Sequence, residues 1–233
     1  MQTSPKTALL LGATGLVGNY LLFKLLNDAR YASVRSLVRK PMHLKHRKLD
    51  ERVVDFDALP DEIFTDIDDV FCCLGTTIRQ AGSQEAFKKV DFQYPLDVAQ
   101  KALATGAKQF LLVTALGADS RSRVFYSRVK GELEDAVTSL GYESFHSFRP
   151  SMLLGKRKEF RLGESAGKAL MIALTPIFLL PGLRKYAGIQ AATVASALLT
   201  IASRDQAGRH VWLSDQLQEF QEGEGSKEKR SKG

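Results

Sequence analysis

Two groups of residues in this sequence have types and spacings that can do chemistry. In Tyr126-Ser-Arg-Val-Lys130 a phenol and an ammonium stand four residues apart, so on a helix both project from one face. A fixed cation favours phenolate and draws a tyrosine down from its usual value of about 10. Tyr126 can then hand a proton to a carbonyl oxygen as hydride arrives, with Lys130 in reach of ribose hydroxyls. The second group is Gly12-Ala-Thr-Gly15-Leu-Val-Gly18, which follows a short apolar run and opens an amphipathic stretch. Gly12 allows a tight turn, Gly15 leaves room for a pyrophosphate at a helix amino end, and Gly18 lets helix and strand approach. Free N–H groups and the helix dipole attract the diphosphate, with Gly12, Thr14, Gly15, Leu16, Val17 and Gly18 as its contacts. The motif counts because of its strand-turn-helix setting, not by itself.

The residue about 20 positions past such a turn selects the dinucleotide, an acidic side chain accepting from the ribose 2'-hydroxyl of NAD. This sequence has Val38-Arg39-Lys40 there, and a guanidinium suits a 2'-phosphate, so NADP(H) is expected over NAD(H). Asp55 is placed to accept from the adenine amino group. Thr114 is the candidate hydroxyl for a substrate carbonyl, and a plain strand-end threonine is the alternative.

The elements that must hold these groups read as an alternation. Apolar runs at Thr7–Leu11, Ser33–Val38, Val53–Val54, Asp69–Leu74, Gln109–Thr114 and Ser144–Phe148 predict strands. Helical spacing predicts helices over Leu16–Asn27, from a Ser83 cap to about Ala104, and over Phe125–Leu140. The expected class is α/β, a Rossmann-type doubly wound parallel sheet. One domain over 1–220 carries a small substrate lobe at 151–190, with helices expected at about 165–174 and 192–202 and a last strand at Val211–Leu213. A disordered tail is expected over 221–233, where Gly, Ser and charge lack an apolar anchor.

Composition narrows the partners more than the chemistry. The 33 Lys and Arg exceed the 26 Asp and Glu by seven charges, which favours anionic ligands. The basic runs Lys40–Lys48 and Lys227–Lys232 lack interleaved aromatics, so they read as solvated faces and no nucleic acid is expected. The longest apolar stretch, Ala169–Pro181, is short and broken by proline, so no transmembrane segment is expected. Two adjacent cysteines, Cys72 and Cys73, and no signal peptide point to a cytoplasmic protein. His43 and His46 lie among cations and His146 and His210 stand alone, so no metal is expected.

Several ordered motifs, Phe71-Cys-Cys-Leu-Gly-Thr-Thr77, Lys89-Val-Asp91, Leu116-Gly-Ala-Asp119, Phe125-Tyr-Ser-Arg-Val-Lys-Gly-Glu132 and Phe148-Arg-Pro-Ser-Met-Leu-Leu-Gly155, carry a resemblance. From about Thr7 to Ala202 the sequence resembles the short-chain dehydrogenase/reductase superfamily in its atypical extended form, and within it the oxidoreductase group named after the human Tat-interacting protein. That resemblance implies a Rossmann domain holding NADP(H), Tyr126 and Lys130 as the Y-x-x-x-K pair, and Leu74, Gly75 and Thr76 along the cofactor. Thr114-Ala115 stands where many members have Ser-Ser. Some members bind NADP(H) as regulators, so two functions are carried forward: an NADP(H)-dependent oxidoreductase acting on a small carbonyl or alcohol, and an NADP(H)-binding redox-sensing regulator without turnover. A nucleotide-sugar epimerase retaining NAD is disfavoured by Arg39 and the short lobe. The substrate is unknown, and a protein partner or homo-oligomer is left open.

Overall fold

A computed structural model describes residues 5–155, 186–204 and 206–221. Six strands come first: β1 (Lys6–Leu11), β2 (Tyr31–Val38), β3 (Leu49–Val53), β4 (Asp69–Cys72), β5 (Gln109–Val113) and β6 (Ser144–Arg149). The two-residue strands β7 (Leu153–Leu154) and β8 (Ile189–Gln190) pair with each other, and β9 (Gly208–Leu213) returns to lie beside β6. The main sheet is wholly parallel, in the order β3-β2-β1-β4-β5-β6-β9. The chain therefore runs outward from β1 in one direction and then restarts on its other side at β4. That reversal opens a crevice beyond the carboxyl ends of β1 and β4, where ligands of doubly wound sheets bind.

The continuous apolar runs follow from burial on both faces. Ala8 and Leu10 of β1, Phe71 of β4 and Leu111 of β5 pack into one layer with helices α1 (Leu16–Asn27) and α6 (Ala191–Ile201). Their alternates Leu9, Leu11, Val70, Cys72, Phe110 and Leu112 pack into the opposite layer with α4 (Tyr94–Ala104) and α5 (Phe125–Leu140). The period of two is hidden in the sequence because neither face is solvated.

Where the observed elements differ from the expected ones, polar contacts explain it. β2 begins at Tyr31, earlier than Ser33, because the buried Tyr31 hydroxyl donates to Asp69 at 2.7 Å while Lys6 holds the same carboxylate at 3.2 Å. β3 starts at Leu49; as an edge strand it carries Asp50, Glu51 and Arg52 and shows no apolar run. The expected single helix from Ser83 to Ala104 is broken into α3 (Gln84–Lys88), a π turn at Lys89–Gln93, and α4. A short helix α2 (Ile78–Ala81) precedes it, capped by the Thr77 hydroxyl accepting from Gln80 N. β9 is longer than Val211–Leu213 and is followed by α7 (Ser214–Gln218). The helix expected at about 165–174 and most of 151–190 and 221–233 lie outside the described residues. Among the described residues no helix is long and apolar enough to cross a membrane.

His146 and His210, isolated in sequence, stack across the β6–β9 pair with centroids 4.9 Å apart. His146 is fully buried; its Nδ1 accepts from Trp212 Nε1 at 3.1 Å and its Nε2 lies 2.9 Å from Ser144 Oγ, whose own proton goes to Gln206 O. Burial, reinforced by His210, pulls its pKa from 6.5 to about 4. The unfolded chain thus takes up this proton below pH 6.5 while the folded chain refuses it until about 4. Stability is complete above pH 6.5 and is lost as pH falls toward 4, by about 2–3 kcal/mol. Urea midpoints measured from pH 7 to 4 should show this limb, and His146→Phe should flatten it.

Candidate functional site

The site begins with the turn that closes β1. Gly12 has φ of +80°, and a Cβ there would run into the backbone carbonyl of Cys73, in the turn after β4. A Cβ on Gly18 would run into the carbonyl of Gly12. The third glycine thus lets α1 press on the turn itself rather than on the strand. Gly15 N donates to Gly12 O at 2.9 Å and closes the turn. Gly15 is also the N-cap of α1 and supplies no side-chain acceptor, and the first turn of α1 carries no acidic residue. The leading N–H groups and the positive helix end therefore face the crevice, with Thr14 and Gly15 exposed and Leu16 half-buried beside them, while Val17 is buried under the turn. This cradle, whose shape depends on the absence of a Cβ at Gly12 and Gly18, fits a dinucleotide pyrophosphate.

Arg39 and Lys40 are exposed immediately beyond the carboxyl end of β2, and Asp55 is exposed two residues beyond β3, its Oδ1 accepting from Asp57 N at 3.0 Å. Leu74, Gly75 and Thr76 form the turn beyond β4, against the glycine turn. All these expected cofactor residues lie at the carboxyl edge of the sheet, at the ends of β1 to β4.

Tyr126 and Lys130 occupy successive turns of α5. Tyr126 is half-buried, its ring packed on Phe87 of α3 at 5.6 Å between centroids; Phe87 also meets Phe125 at 5.7 Å and is wholly buried. Lys130 is buried, with its Nζ 2.7 Å from Asp91 Oδ1. Burial alone would lower the ammonium pKa, but the Asp91 carboxylate, followed by the Tyr126 phenol, outweighs it and raises the value. Lys130 is therefore a permanent cation at neutral pH. Asp91 Oδ2 accepts from Thr76 N at 2.9 Å, which ties the turn after β4 to the same carboxylate.

Asp91 and Phe87 were not among the candidates from sequence. Asp91 stands in the Lys89-Val-Asp91 motif that carries part of the resemblance, but no site role was expected of it, and the π turn that carries it inward breaks the helical spacing on which a face is assigned. Thr114, expected to face a substrate carbonyl, is turned elsewhere. Its hydroxyl donates to Glu134 at 2.6 Å, and the wholly buried Glu134 is gripped by Arg149 through Nε at 3.0 Å and Nη2 at 2.6 Å. The Glu134 carboxylate needs that donor, so the Thr114 proton is committed to the core. Cys72, below the turn after β4, is pushed up to about 11 by burial and is no nucleophile at neutral pH.

The fit between the turns gives a measurable expectation. Gly18→Ala should lower stability by about 1–3 kcal/mol through backbone overpacking, read as a reduced urea midpoint, and should weaken nicotinamide nucleotide binding in a fluorescence titration.

Comparison with known proteins agrees with this geometry. Residues 12–141 match the family described as NAD(P)H-binding. Protein HTATIP2 of Rattus norvegicus is 38% identical over 164 residues, covering 68% of this chain and 67% of that protein. Protein FMP52, mitochondrial, of Meyerozyma guilliermondii is 38% identical over 155 residues, covering 65% and 66%. The match thus spans about two thirds of each relative's length. The structure of MoeE5 in complex with UDP-glucose and NAD has the same fold, with a TM-score of 0.68 at 16% identity over 88% of this chain and 74% of that one. The mitochondrial names of the fungal relatives, those of Debaryomyces hansenii and Candida albicans included, overturn the expectation of a cytoplasmic protein. Two cysteines that form no disulfide do not say which compartment holds the protein. On its crevice, its glycine turn and these relatives, the chain belongs to the NAD(P)H-binding family, alongside HTATIP2 and on the fold of the extended short-chain dehydrogenases/reductases.

Proposed function

We propose that this protein is an NADP(H)-dependent oxidoreductase of the short-chain dehydrogenase/reductase type, acting on a small carbonyl or alcohol. The observation that carries the reading is the buried Lys130 cation one helical turn from Tyr126, at the same sheet edge as the glycine cradle. When bound, a nicotinamide supplies or accepts the hydride. Tyr126 passes a proton between its hydroxyl and the substrate oxygen, and its half-buried ring is held in place by Phe87. Lys130 holds positive charge beside that phenol and donates toward ribose hydroxyls. Gly12, Thr14, Gly15, Leu16, Val17 and Gly18 receive the pyrophosphate, Leu74, Gly75 and Thr76 flank the cofactor, and Asp55 accepts from the adenine. Arg39 and Lys40 receive the 2'-phosphate. One domain over residues 1–220 would hold all of these. Thr114 would serve as carbonyl anchor only by giving up its bond to Glu134, so the chemistry rests on Tyr126 and Lys130.

That same bond, with Ala115 next in sequence, favours a second reading in which the protein binds NADP(H) as a redox-sensing regulator without turnover. Calorimetric titration should show NADPH binding at least about tenfold more tightly than NADH, with Arg39→Asp erasing the difference; equal affinities for the two nucleotides would remove NADP(H) from the reading. With a panel of aldehydes and quinones, Tyr126→Phe should cut turnover by about 10²–10⁴ while leaving NADPH affinity within about twofold. Tight NADPH binding with no turnover in the unaltered protein would select the sensor.

A further inference from the structure

The π turn at Lys89–Gln93 interrupts what would otherwise run as one helix from Gln84 to Ala104. Such insertions are uncommon and are retained where a side chain must be re-aimed. Here Lys89 reaches outward to the exposed Asp57 at 2.7 Å, while Asp91, two residues on, is wholly buried. Its two oxygens serve different elements: Oδ1 meets Lys130 Nζ of α5 at 2.7 Å, and Oδ2 accepts from the peptide N–H of Thr76, beyond β4, at 2.9 Å. The 2.7 Å contact sets an anionic oxygen directly against the ammonium, so Asp91 anchors Lys130 by charge.

We propose that Asp91 is the positioning residue of this site, its carboxylate locking the Lys130 ammonium and the Leu74–Thr76 turn into one unit that receives the cofactor. The proposal rests on the cofactor reading above. Two observations support it besides the distances. Lys130 and Asp91 have side chains only 4% and 0% exposed, and burial without a counter-ion pulls an ammonium down from its usual range toward neutral pH. Among the described residues, the groups facing Lys130 are Asp91 from the π turn, Tyr126 from its own helix and the Cys72 thiol from β4, and Asp91 is the carboxylate of the three. Without it, Lys130 would lose its proton as pH rises above neutral, and the turn after β4 would lose its tie.

The test is the pH dependence of NADPH affinity in Asp91→Asn, which keeps the size of the side chain and removes the charge. In the unaltered protein, affinity measured by NADPH fluorescence between pH 7 and 9 should change no more than about twofold, since Lys130 stays charged throughout. In Asp91→Asn the stranded ammonium should deprotonate inside that window, and affinity should fall by about tenfold or more from pH 7 to 9. A purely structural role for Asp91 would lower the melting temperature without adding this pH dependence, and identical pH profiles would overturn the proposal. A melting-temperature cycle decides the matter if Asp91→Asn folds poorly or if the unaltered protein takes up no NADPH, a result that by itself removes only the cofactor reading. Asp91→Asn combined with Lys130→Met should melt higher than either single variant, because neither buried charge is then left alone. A double variant no more stable than the singles would refute the pairing role.

Discussion

Everything at this site depends on two turns meeting without side chains between them. The turn after β1 and the turn after β4 come together at the point where the strand order reverses, and a Cβ at Gly12 would occupy the Cys73 carbonyl. Dense packing at that contact leaves no slack, since protein interiors have no spare volume to absorb even one methyl group. The same closeness brings α1 onto the turn through Gly18 and leaves its leading N–H groups pointing into the crevice. An anion-binding cradle is thus a by-product of how tightly the first strand, its turn and its helix fold together.

Around that cradle, charge is buried in pairs. Lys130 is matched by Asp91, and Arg149 by Glu134. Both pairs use α5, from residues four apart on one helical stripe, and they divide its labour. The first faces the cofactor crevice and keeps a cation there. The second faces the core, where Glu134 collects Arg149 and the Thr114 hydroxyl and clamps the ends of β5 and β6 to the helix. Breaking either pair would leave a charge in a medium that cannot solvate it, so each partner depends on the other being present. The division leaves the hydroxyl at the end of β5 bonded into the core.

The crevice end of the sheet and the opposite end differ in what they ask of the chain. At the far end, Asp69 gathers Lys6 and the Tyr31 hydroxyl, joining the starts of β1, β2 and β4. These contacts hold the three strands in register at the end away from the crevice. The strand ends on the other side stay free to carry Gly15, Arg39, Asp55 and Gly75, all solvent-facing. A rigid base and an exposed rim are what a ligand crevice of this class requires.

Much of this was legible in residue types. The glycine turn, the buried strands β1, β4, β5 and β6, helices α1 and α5 and the parallel sheet follow from local pattern, because glycine spacing, apolar runs and 3.6-residue periodicity are properties of neighbouring residues. The edge strand β3 was shortened and displaced in that reading, since a strand solvated along one side carries charge and loses its apolar signature. Contacts across the sequence were beyond it. The burial of Asp91 depends on a π turn, the commitment of Thr114 on a glutamate twenty residues away, and the neutral state of His146 on its burial beside His210, sixty-four residues on. Local pattern determined which groups could act and which edge of the sheet would bear them. Only the tertiary structure decided which partner each buried polar group would take, because that choice is made by whatever the packed chain brings within hydrogen-bonding distance.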